Sequence, residues 1–265
     1  AVMLAGGLRR QGLARSDLGG LILLLVPAWC GLFHDRDNLA CFGGCPELVL
    51  GVGLLGSVVC ALEAWRSGRM GWFAVTAVLA LMAGLAKAEG FVHVSVAVLL
   101  AWLLAWRAGR GPRRAVLVTG MVVLLTLLVH EVVFTHRVSV GILQDDYRRL
   151  LTPVGVISGL GRMPQVALRL GWQAFLSPRF AALGLLIIVA AWKSGARWRQ
   201  PETSWPLAIC GLMLAAYCLP FLVVPDWEDN LDWASGRLVA ELTPLAVWCL
   251  AVLVLPRLES GEPRD

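Results

Sequence analysis

Two short stretches hold the side chains best suited to chemistry. Lys87, Glu89 and His93 lie in GLAKAEGFVHV, and Arg237 and Glu241 lie in DWEDNLDWASGRLVAELTPLAVWCL. Both stretches border long apolar runs, where ionisable groups are costly unless paired or used. Glu89 and His93 are four residues apart, so they share a face if a helix starts at Glu89. The alternative is a plain hairpin whose interfacial charges snorkel to water. Arg237 and Glu241 are one turn apart and can pair on one face. An arginine at a helix entrance suits a phosphate, because its planar fork holds two phosphate oxygens at once. Asp226, Glu228, Asp229 and Asp232 are expected to precede that helix, and Pro244 to kink it in its third turn, freeing backbone carbonyls. As an isolated pattern, such a stretch is more often structural than functional.

Other candidates are weaker. Asp35, Asp37, Asp145 and Asp146 could hold a divalent cation through oxygen ligands, although acidic loops are more often simply solvated. His130-Glu131 followed by His136 is not the H-E-x-x-H zinc motif, since the second histidine comes six residues after the first. Glu131 needs a partner, for which Arg137 is the nearest candidate. No zinc pattern or Cys–His pair for nucleophilic catalysis is evident, so no residue is assigned to a metal and no cofactor is firmly expected. Cys41 and Cys45 could form a disulfide on an oxidising side of a membrane. Cys60, Cys210, Cys218 and Cys249 read as small apolar residues.

The elements that must position these residues follow from composition. Hydrophobic residues make up 58% of the chain and charged ones 15%, with a mean hydropathy of +0.73. A soluble domain is about half apolar and a quarter charged. Apolar runs near 18–33, 47–64, 71–87, 90–106, 115–135, 180–192 and 206–224, with an eighth near 237–255, approach the ~17–25 residues that cross a bilayer. The expected fold is an all-α integral membrane protein, a single polytopic domain over 1–265 with about seven to eight transmembrane helices. Run 180–192 is the shortest. It either begins near Phe175 or is merged or re-entrant.

Charge orients this arrangement. With Arg9, Arg10 and Arg15 in the cytoplasm, alternating crossings put 66–69, 107–114, 193–199 and the tail from Arg257 on the same side. These regions hold most of the 23 basic residues, as the positive-inside rule requires. The net charge of +5 is thereby explained without a nucleic-acid partner. The opposite face receives 34–46, 87–90, 136–179 and 226–236, with half of the acidic residues, among them Asp35, Asp37, Glu89, Asp145, Asp146, Asp226, Glu228, Asp229 and Asp232, and, on or near it, all four histidines. Any reaction is expected there, on the external side. The loop 136–179 is too long for a plain connector. Its segment 158–176 sets Arg162, Gln165 and Arg169 among apolar residues, with Pro164 suited to a first helical turn. That segment is either an interfacial helix whose arginines reach lipid phosphates or a short packing helix. Tryptophans near span ends, such as Trp65, Trp72, Trp192 and Trp227, fit interfacial anchoring.

The opening AVMLAGGLRR is too short for a span or a signal segment and reads as the tail of a helix that starts upstream, so a fragment of a longer protein is expected. The pairing of Lys87, Glu89 and Gly90 (K-x-E-G) with Ser235, Arg237, Leu238, Leu242 and Pro244 (S-x-R-L…L-x-P) resembles the C-terminal half of GT-C glycosyltransferases. These are polytopic enzymes that use polyprenyl-phosphate sugars, similar to the dolichyl-phosphate-mannose and aminoarabinose transferase families. CPELVLGVGLL also resembles a helix start that in relatives often reads A-D-L-P-L, with Glu47 in the place of the aspartate. The resemblance covers roughly 45–255 through short, degenerate motifs.

The resemblance implies a polyprenyl-phosphate sugar donor and a glycan, lipid or protein acceptor, brought together in a bacterial inner membrane with the active face outside. Lys87 and Arg237, with Glu241, would hold the donor phosphate, and Glu89 or His93 would position them. A carboxylate would remove the acceptor's hydroxyl proton as it attacks the anomeric carbon. In the family the principal acid lies in the first external loop, expected upstream of Ala1; Asp35 and Asp37 are the external carboxylates of this chain, and neither is firmly the base. The rival readings are a transporter or flippase, a non-catalytic subunit of an envelope-assembly complex and, among enzymes, an O-antigen ligase or polymerase. A transporter would show ionisable groups near mid-membrane and broken helices in two symmetric halves.

Overall fold

The computed structural model describes residues 46–86, 152–224 and 226–255, together with isolated helical positions between 93 and 129. Helix α1 spans Pro46–Ser67 and α2 Met70–Ala86. They form an antiparallel hairpin around Gly68, whose φ of 66° lies in the left-handed region open to a residue without Cβ. Leu50, Leu54, Val58 and Leu62 recur at helical spacing along α1 and are buried. Small residues bring the backbones together: a Cβ on Gly53 would stand 2.8 Å from that of Ala83 in α2.

Short helices α3 (Pro153–Gly159) and α4 (Met163–Phe175) follow, joined by a 3-10 turn at Leu160–Arg162. Thr152 caps α3 by accepting from the Gly155 amide at 3.2 Å. Pro164 occupies the first turn of α4, as its missing N–H allows. Val166 and Leu170 bury one face of α4, while Leu168 and Trp172 are exposed. The arginines of this region turn to protein partners. Arg162 donates to the Val224 carbonyl at 2.8 Å and lies over the Trp227 ring, and Arg169 pairs with Asp232 at 2.6 Å. Of the two readings of this segment, these contacts fit the packing helix. The reason is the acidic, aromatic start of the last helix lying alongside.

Helix α5 is Leu183–Lys193. A 3-10 turn at Pro178–Phe180 and two alanines with φ of 50° and 51°, Ala181 and Ala182, precede it. Its 11 residues rise about 16 Å, roughly half of a ~30 Å hydrocarbon core. Phe175, the earlier start considered for this run, belongs to α4 instead. After a 3-10 turn at Gly195–Arg199, α6 runs Pro201–Cys218. It begins five residues before the apolar run that announced it, because Pro201 opens the helix through a polar first turn. A further 3-10 turn, Pro220–Leu222, leads to α7, Trp227–Val254.

Helix α7 corrects the expected start near 237. Glu228 and Asp229 occupy its first turn, where the helix dipole favours negative charge, and Asp232 follows within the helix. Arg237 is therefore well inside the helix rather than at its entrance. The helix continues through Pro244, which has no N–H to offer the Ala240 carbonyl. Gly51 of α1 packs at this point: a Cβ there would stand 2.6 Å from the Glu241 carbonyl oxygen.

Among the described residues the structure is helical without strands. By length and composition, three helices can cross a membrane: α1, α6 with the turn that follows it, and α7. Two contacts fix one end of the bundle. Arg66 at the end of α1 pairs with Glu202 at the start of α6 at 2.6 Å, and Arg197 donates to the Leu255 carbonyl at 3.2 Å. The basic turns 66–69 and 193–199 thus share one end, and the acidic start of α7 lies at the other.

Candidate functional site

Three side chains from three segments meet in the interior. His93 and Glu241 are buried, as is Tyr217, next to last in α6. The Tyr217 hydroxyl donates to Glu241 Oε2 at 2.7 Å and lies 2.9 Å from His93 Nε2. His93 Nε2 is itself 3.3 Å from Glu241 Oε2. A phenol has one proton to give, so with Tyr217 donating to Glu241 the short contact to His93 requires a proton on Nε2. That N–H then faces both the phenol oxygen and the carboxylate. The phenol and carboxylate oxygens find partners without water, which a buried polar group requires.

The level of this cluster follows from helix geometry. Tyr217 lies roughly 24 Å along α6 from the basic end and Glu241 roughly 20 Å along α7. The cluster therefore sits at the far end of α6 but midway along α7, with the acidic end of that helix roughly 21 Å further on. One turn further toward that end are Ser235, Gly236 and Arg237. Ser235 is fully buried, and its hydroxyl has no hydrogen-bond partner among the described residues. Arg179 approaches Gly236, its Nη1 3.2 Å from where a Cβ would stand. Arg237 is half-buried. A carboxylate, an imidazole and a phenol in contact can hold a proton and pass it among themselves, and Arg237 on α7 and Arg179 beside Gly236 bring positive charge to the same stretch of the helix.

Of the residues singled out by spacing, the structure brings together His93 and Glu241, one from each motif stretch, with Arg237 one turn away on α7. Lys87, Glu89, Asp35 and Asp37 lie outside the described residues, as do Asp145, Asp146, His130, Glu131, His136, Arg137, Cys41 and Cys45. Glu47 falls in the first turn of α1. Tyr217 is the member that sequence reasoning missed. Its signal was available: it is one of two tyrosines in the chain and lies in an apolar run, where a buried hydroxyl needs a partner. Among the described residues no three His, Cys, Asp or Glu side chains are grouped to hold a metal ion.

No family model, curated protein or solved structure matches this chain.

Proposed function

We propose that the protein is a membrane glycosyltransferase that moves a sugar from a polyprenyl-phosphate-linked donor to a glycan, lipid or protein acceptor, on the acidic side of the level at which His93, Tyr217, Glu241 and Arg237 lie. The observation that carries this reading is the 3.3 Å contact between His93 and Glu241. It joins the two stretches on which the resemblance to GT-C glycosyltransferases rests, one around Lys87, Glu89 and Gly90 and the other around Ser235, Arg237 and Pro244. Arg237 and Lys87 hold the donor phosphate through charge-assisted hydrogen bonds. Glu241 and His93 fix the level of α7 against the preceding helices, and so position Arg237. An external carboxylate, with Glu89, Asp35 and Asp37 as the candidates in this chain, takes the acceptor's proton. The reading carries with it an arrangement of seven to eight crossings with the basic turns in the cytoplasm of a bacterial cell, and it needs no cofactor beyond a divalent cation at most.

The test is transfer of radiolabelled sugar from a polyprenyl-phosphate donor by the protein in proteoliposomes. Arg237→Ala is expected to abolish transfer while the protein elutes and unfolds like the parent. Normal turnover by a folded Arg237→Ala protein ends the phosphate-clamp idea.

The buried His93–Tyr217–Glu241 group also favours a second reading, a transporter or flippase, since ionisable residues within membrane segments commonly serve proton relays or substrate paths. The product separates the two. A transferase cleaves the anomeric bond of the donor, whereas a flippase returns the donor intact on the opposite leaflet.

A further inference from the structure

Between α4, α5, α6 and α7 lies a cavity of about 250 Å³. Phe175, Phe180, Ile188, Gly211, Leu214 and Val239 account for much of its wall, and among the described residues no charged side chain lines it. The one hydroxyl among these described residues, that of Thr243, already donates to the Val239 carbonyl at 3.1 Å. Water therefore finds no partners on these walls, and an apolar hollow of this kind takes an apolar guest.

The hollow opens sideways. Ile188 lines it yet is 54% exposed, and Leu185, Leu186 and Val189 are exposed beside it on the outer face of α5. Gly211 stands across the mouth on α6, exposed and with no atom within 4 Å of an added Cβ. An apolar outer face of this composition has lipid chains as its solvent. The volume falls just below the ~300–1,000 Å³ of pockets that enclose drug-sized ligands, which suits one slender chain. A cation marks one end. Arg179 adjoins Phe180, and its Nη1 sits against Gly236, one turn before Val239 on α7.

We infer that this cavity holds one acyl chain of an anionic bilayer phospholipid, which enters between α5 and α6 and places its phosphate at Arg179. The cavity wall includes none of His93, Tyr217 and Glu241, although Arg179 borders both regions, and its occupancy does not depend on the glycosyltransferase reading. The phospholipid is the occupant because it surrounds the mouth at bilayer concentration. The guanidinium keeps its positive charge whatever else it contacts, and so favours an anionic head.

The test uses the purified protein in nanodiscs of phosphatidylcholine. These carry a trace of either phosphatidylglycerol or phosphatidylcholine with a diazirine in one acyl chain, and peptide mass spectrometry maps the adducts. Adducts are expected on 211–214 of α6 and on Val239, about fivefold more abundant from phosphatidylglycerol, the preference one arginine gives near a membrane surface. Gly211→Leu, which has room for its side chain, should remove the Val239 adduct without lowering the unfolding temperature. Arg179→Gln should equalise the two lipids while chain adducts remain. Adducts confined to Leu185, Leu186 and Val189, or unchanged by Gly211→Leu, would overturn the proposal. So would equal labelling by the two lipids in the parent protein, or displacement of the label by an equal amount of a prenyl phosphate.

Discussion

The Tyr217 hydroxyl donates to Glu241 Oε2 at 2.7 Å and so fastens the end of α6 to the middle of α7. Removing that hydroxyl leaves a buried carboxylate short of a donor, which costs about 1–3 kcal/mol. Tyr217→Phe is therefore expected to lower the unfolding temperature in detergent. Glu241→Ala should cost more, about 3–5 kcal/mol if it breaks a buried ion pair. Thermal scans of the two variants beside the parent measure both, and a Tyr217→Phe protein as stable as the parent would remove the cluster from the account of stability.

At the opposite end, Arg66 and Glu202 form a partly shielded pair with side chains 26% and 12% exposed. Arg66 donates to Glu202 Oε1 from both Nε and Nη2, at 3.2 and 2.6 Å. The coupling between Arg66→Ala and Glu202→Ala in a double-mutant cycle is expected to fall within ~0.5–3 kcal/mol. Additive losses would show that the two helix ends are held by something else.

Two glycines make a matched pair of tests. A Cβ on Gly51 would meet the Glu241 carbonyl at 2.6 Å and the Pro244 ring at 3.1 Å, whereas one on Gly171 meets nothing within 4 Å. Gly51→Val should push α1 off α7 and destabilise by about 1–3 kcal/mol, the usual cost of overpacking. Gly171→Ala, inside α4, should stabilise by about 0.5–1 kcal/mol. Opposite signs in chemical denaturation are the expected outcome.

The two ends of the bundle also make a topological prediction. Reporters fused after residues 68 and 196 should share one side of the membrane, and reporters after 155 and 230 the other. The proposed orientation makes the first pair cytoplasmic. A swapped pattern moves the proposed site to the inner face, and a mixed pattern breaks the arrangement of crossings.

Much of this architecture was legible because apolar composition reports membrane thickness directly. The runs 47–64 and 71–87 match α1 and α2 closely. Hydropathy fails where a helix outruns its apolar part. α7 starts ten residues before the run near 237–255, and the clue was the first-turn carboxylates Glu228 and Asp229 rather than any apolar signal. The site was half legible. Local spacing drew attention to His93 through Glu89 and to Glu241 through Arg237, but no spacing encodes a contact between segments so far apart in sequence. Tyr217 escaped because a tyrosine in an apolar run counts toward hydropathy, while the role of its hydroxyl is set by helices distant in the chain.

The brevity of α5 bears on how the protein is made. A helix of 11 residues offers insertion machinery too little apolar length to be released into lipid as a span of its own. The amides of its first turn have no carbonyls of their own helix to meet, and lipid cannot supply acceptors. If α5 lies within the bilayer, it is therefore expected to enter together with α6 rather than alone. A nascent chain arrested before α6 emerges would leave α5 accessible to water-borne reagents, and lengthening past α6 would protect it.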